Sequence, residues 1–145
     1  MRTLNEIIVH CSATSVEQKI NAATIDVWHR QKGWDCIGYH FVILQDGTIE
    51  VGRPIGKIGA HCLYHNVNTV GICYIGGIKD SKPCDTRTPQ QKRSLRLLIA
   101  GLLEEYPTIT KISGHNNYAN RACPCFDVAE LDYLLQYAIR ARESL

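Results

Sequence analysis

Ile7-Ile8-Val9-His10 is the stretch from which the fold can be read. A short, unbroken run of branched apolar residues favours extended backbone and predicts a buried strand. It places His10 at a strand end, where sites gather in sheets covered by helices. A second short stretch, Ile109-Thr110-Lys111-Ile112, leads through a Ser113-Gly114 turn to His115, and Cys123 follows in Arg121-Ala122-Cys123-Pro124. Two imidazoles and one thiolate, if brought together, hold a single zinc ion and leave its fourth tetrahedral position open. An open position admits water or substrate and marks a catalytic rather than a structural site.

Working outward, a helix is expected from about Ala22 to Lys32, with Asn21 as N-cap, Gly33 as stop, and Ile25, Trp28 and His29 on one face. Two strands follow, at 39–44 and 48–51, joined by the Asp46-Gly47 turn. Residues 53–68 read as loop, Thr69-Val70-Gly71-Ile72-Cys73-Tyr74-Ile75 as a buried strand, and 78–87 as a polar surface loop. Thr88-Pro89-Gln90-Gln91 is a capping box with proline at the first helical position. The helix it opens carries Leu95, Leu98, Ile99, Leu102, Leu103 and Tyr106 at helical spacing and stops at Pro107. Asp127 and Glu130 form a further capping box before a last helix with Leu131, Leu134, Leu135 and Ala138 on one face. Strands interleaved with three helices predict one α/β domain over residues 1–145, its central mixed β-sheet flanked by helices on both sides.

Composition narrows the function classes. With 16 Lys and Arg against 14 Asp and Glu, the net charge is +2, and no basic block appears, so nucleic acid is not implied. No apolar run approaches the ~20 residues that span a bilayer. The N-terminus lacks the pattern of a signal peptide, so synthesis and folding in the cytoplasm are expected. Seven irregularly spaced cysteines argue against a disulfide framework and for reduced, mostly buried thiols. A monomer is expected.

Beyond these separate signals, an ordered set of short motifs spans residues 7 to 127. It comprises Ile8-Val9-His10-Cys11-Ser12-Ala13-Thr14, Gly33-Trp34 with Ile37-Gly38-Tyr39-His40-Phe41, and Asp46-Gly47-Thr48 with Gly52-Arg53. Gly59-Ala60-His61, Asn68-Thr69-Val70-Gly71-Ile72-Cys73, Gly76-Gly77, Gly114-His115 and Ala122-Cys123-Pro124 continue it. In this the chain resembles the zinc-dependent N-acetylmuramoyl-L-alanine amidases of the bacteriophage T7 lysozyme type, related to the peptidoglycan recognition proteins. The resemblance implies hydrolysis of the amide between N-acetylmuramic acid and L-alanine of peptidoglycan, with one zinc ion in a surface groove. It implies His10, His115 and Cys123 as ligands, Tyr39 as the catalytic tyrosine and His61 as a groove-lining, substrate-binding histidine. Arg121 falls where phage members usually carry a catalytic lysine. Arginine can stabilise an oxyanion but is a poor proton donor, so proton handling is expected to rest on Tyr39.

Three functions accommodate these residues. The first is a cell-wall lytic amidase of phage or prophage type, reaching its substrate after release, or a relative acting on imported muropeptides. The second is a peptidoglycan-recognition module that binds without cutting. The third is a structural zinc domain, closed if Cys125 joins Cys123. His29 and His40 are expected to be structural, Cys11 to lie in the core, and His65 has no assigned role.

Overall fold

The computed structural model describes residues 1–144. Strand β1, Glu6–Cys11, is buried along its whole length. It lies between two parallel partners, β5 (Thr69–Tyr74) and β8 (Lys111–Gly114). Strand β3 (Phe41–Ile43) adds in parallel to β5, and β4 (Ile49–Val51) closes that edge antiparallel. The five-stranded order is β4-β3-β5-β1-β8, a mixed sheet.

Both faces are covered, which is why the central strands read as unbroken apolar runs. Helix α1 (Ala22–Gln31) packs Ile25 and Trp28 with Ile37, Val42, Cys73 and Ile75 on one face. Helices α2 (Pro89–Glu105) and α3 (Asp132–Glu143) cover the other with Leu95, Ile99, Leu103 and Leu135, against Ile7, Val9, Val70 and Ile72. Asn21 caps α1 and Thr88 caps α2, each accepting from the backbone N–H three residues on. No helix among the described residues is long and apolar enough to cross a membrane.

The structure corrects the reading of 78–87 as a surface loop. Gly77–Lys79 (β6) and Lys82–Pro83 (β7) form a hairpin, with Thr14–Ser15 (β2) as the third strand of a small sheet. Asp80 and Ser81 at its tip both have positive φ, 51° and 63°, the turn geometry that matches strand twist. The Asp127–Glu130 capping box is also corrected. Asp127 does cap a 3₁₀ turn, Val128–Leu131, by accepting from Ala129 N–H at 3.0 Å. Glu130 instead pairs with the buried Arg87 guanidinium at 2.8 Å, which Asp85 also engages and which lies 3.3 Å over the Phe126 ring. A guanidinium without a second carboxylate in that pocket would be costly, so the ion pair takes precedence over the cap. The seven thiols are all free, but only Cys11, Cys62 and Cys73 are buried; Cys36, Cys84, Cys123 and Cys125 are half-buried.

His40 is wholly buried. Its Nδ1 accepts from Gly71 N–H at 3.0 Å and its Nε2 contacts the Lys57 carbonyl at 2.8 Å. Burial is the main cause that holds its pKa down to about 4, from an ordinary 6.5. The unfolded chain therefore binds a proton that the folded chain refuses. This contribution to stability is complete above pH 6.5 and is lost as pH falls towards 4. Denaturant unfolding should show stability falling across that window. His40→Asn, which keeps an acceptor near Nδ1, should be less stable at pH 7 with a shallower decline; an unchanged slope would contradict the assignment.

Candidate metal centre

Strand β1 carries His10 out of the sheet's centre, and register supplies its partners. Val9 pairs with Gly114, so His115 emerges in a 3₁₀ turn beside His10. The two Nδ1 atoms stand 3.2 Å apart. The Cys123 loop folds back over the strand end: Tyr74 O–H donates to the Pro124 carbonyl at 2.7 Å, and Cys11 N–H donates to Cys123 Sγ at 3.1 Å. One donor atom each from His10, His115 and Cys123 thus falls within 4.8 Å of the other two.

The donor set fits zinc. Two nitrogens on one tetrahedral ion at about 2.05 Å are about 3.3 Å apart, close to the separation of the two imidazoles. His10 is wholly buried, whereas His115 and Cys123 are half-buried and Arg121 is exposed. The cluster is closed behind and open in front. Cys125 does not join it: its Sγ is turned towards Cys11 Sγ, 3.9 Å away, and the Gly77 carbonyl, 3.5 Å away.

Burial, reinforced by His61, His115 and Arg121, holds the His10 pKa well below its ordinary value. Burial and then Arg121 lower that of His115. Both imidazoles are therefore neutral near pH 7 and free to ligate. Arg121 is close enough to act electrostatically on both. The Tyr39 ring centroid lies 5.1 Å from that of His10 and 5.6 Å from that of His29. Burial, then the Cys73 and Cys123 sulfurs, raises the Tyr39 pKa, so its phenol remains a proton donor.

The other histidines separate by role. His29 accepts from Gly38 N–H at 2.8 Å and packs against Trp34 and Tyr39, fixing the segment that carries the tyrosine. His65 stacks on Tyr118 with ring centroids 3.8 Å apart. His61 is placed behind the donors rather than on the open face expected of a groove residue. It is 8 % exposed, and its Nδ1 lies 2.8 Å from His10 Nε2. Burial first, then the neighbouring His40, Arg2, His115 and Arg53, brings its pKa down to about 3. A Gly59-Ala60-His61 motif identifies the residue but not the ring it touches, because that contact depends on strand β1.

Residues 1–126 match the family described as N-acetylmuramoyl-L-alanine amidase. The chain belongs to this family. It is 42 % identical to the endolysin of Enterobacteria phage T3 over 127 residues, 87 % of this chain and 83 % of the relative. It is also 42 % identical to the endolysin of Escherichia phage T7 over 123 residues, 84 % and 81 % respectively. Among solved structures, the amidase LysC from Clostridium intestinale is similar at a TM-score of 0.78 and 32 % identity, covering 90 % of this chain and 87 % of that one.

Zinc added to metal-free amidase should raise its melting temperature by mass action on the folded state. His115→Ala or Cys123→Ser should abolish most of that rise, whereas Cys125→Ser should retain it. An equal response in Cys123→Ser would remove this thiol from the ligand set.

Proposed function

We propose that this amidase is a zinc hydrolase of phage or prophage type that cuts the amide between N-acetylmuramic acid and L-alanine in peptidoglycan. His10, His115 and Cys123 hold the ion, and Tyr39 and Arg121 act on the substrate. The observation that carries this reading is the three-donor cluster, buried at His10 and half-buried at His115 and Cys123, with an exposed Arg121 close enough to act electrostatically on both imidazoles. Zinc in such a site supplies a nucleophile at neutral pH and a Lewis acid for the scissile carbonyl.

The remaining chemistry belongs to the chain. Collapse of a tetrahedral intermediate requires a proton for the departing L-alanine nitrogen. Tyr39 keeps its proton at neutral pH and lies beside His10, so it orients the attacking water and passes a proton towards that nitrogen. The oxyanion requires a fixed positive group. Arg121 is permanently charged and offers several N–H donors, which suits it to that task. A complete ligand set together with Tyr39 favours catalysis over binding alone. The orientation of Cys125 towards Cys11 argues against a closed structural site. Likeness to phage endolysins supports the cell wall, rather than imported muropeptides, as the substrate.

Incubation with purified sacculi should release new amino termini, a chelator should stop the release, and zinc should restore it. Tyr39→Phe and Arg121→Ala should each lower turnover about 10²-fold with zinc content unchanged, and Arg121→Lys should be milder than Arg121→Ala. Binding of sacculi without release of amines would instead identify a recognition module. Faster release from soluble anhydro-muropeptides than from sacculi would point to recycling.

A further inference from the structure

We propose that a hydrogen-bond relay from the His65 carbonyl through Thr69 and His61 fixes the tautomer of His10 and thereby sets the metal affinity of the site. His61 is then a positioning residue, acting through His10. The inference rests on the zinc reading above, and deepens it by one layer of residues.

Proton counting gives the direction of the relay. Thr69 has one hydroxyl proton, and its Oγ1 lies 2.7 Å from the His65 carbonyl and 3.5 Å from that of Asn66. A carbonyl can only accept, so that proton is spent on the backbone. The Thr69 lone pair then faces His61 Nε2 at 3.2 Å, which must carry a hydrogen. A neutral imidazole that donates at Nε2 accepts at Nδ1. His61 Nδ1 lies 2.8 Å from His10 Nε2, so His10 donates there. The proton of His10 is thereby held on Nε2 and its lone pair on Nδ1, the atom that lies 3.2 Å from His115 Nδ1 in the donor cluster. The opposite tautomer would point an N–H at the cation. His10 has no exposed surface, so solvent cannot compete for its Nε2 proton.

The surroundings hold the His61 ring in place. Asn66 Oδ1 accepts from the backbone N–H of His61 at 3.0 Å and of Cys62 at 2.9 Å, anchoring the loop. Thr69 and Gly71, two apart on β5, face the same side. A Cβ at Gly71 would stand 2.6 Å from His61 Cγ, and one at Gly59 would stand 2.7 Å from His61 Cδ2. Two glycines thus form the slot that admits the ring. Partners of this kind orient a ligand imidazole and raise its basicity, and their loss typically weakens metal binding about 10- to 100-fold.

Histidine-labelled, metal-free protein should show both His10 and His61 protonated at Nε2 in long-range proton–nitrogen NMR correlations. In competition with a chromophoric chelator, Thr69→Val and His61→Leu should bind zinc about 10- to 100-fold more weakly than wild type, and Thr69→Ser, which keeps the hydroxyl, should recover most of the loss. A His10 ring protonated at Nδ1 in the metal-free protein would overturn the relay. So would Thr69→Val and His61→Leu variants that bind zinc as tightly as wild type. Wild-type protein that takes up no zinc would overturn the metal reading itself.

Discussion

Burial of β1 between two parallel partners is the constraint to which the rest of the molecule answers. A strand enclosed on both edges and both faces can end in a polar group only where the sheet stops, and His10 stands there. The register with β8 then leaves little freedom for His115, and the backbone N–H of Cys11 donates to the Cys123 sulfur. Each donor is held by ladder or loop hydrogen bonds of the chain itself. A cluster organised by the fold in this way lowers the entropic cost of taking up a cation.

The two faces of the sheet divide the labour. On the α2 and α3 side, aliphatic residues supply most of the buried apolar surface, and hence most of the hydrophobic driving force. The α1 side is smaller and leads to Tyr39, braced by His29. Polar residues concentrate near the ends of β1 and β5, where His10, His40, His61 and Thr69 are all buried. Buried polar groups must be satisfied, and here they are satisfied by one another and by backbone.

Elements with strong local signals were legible in the chain: β1, the capped helices α1 and α2, the Asp46-Gly47 hairpin and β5. Short motifs in fixed order also singled out His10, His115 and Cys123, whose donor atoms the fold brings within 4.8 Å of one another, although periodicity alone could not show that they meet. What stayed hidden depended on distant partners. The β6–β7 hairpin has strands of two and three residues, polar and interrupted by Pro83, so it carries no alternation to detect. Its Asp80-Ser81 tip adopts a turn more often announced by Asn-Gly. Glu130 resembles a capping residue until Arg87, 43 positions earlier, claims it. His61 carries no sequence signal for its contact with His10 or for its place over Gly71 of β5.

The sheet order also governs when the chain acquires chemistry. Strand β8 lies at an edge and pairs with β1 across 105 positions, from Glu6 to Lys111. Contacts so distant along the chain form slowly, after the loop between them has been ordered. With β1, β3 and β5 joined, His10 already meets His61, but His115 follows β8 and Cys123 lies beyond it. The three-donor cluster is therefore complete only once the edge strand has docked.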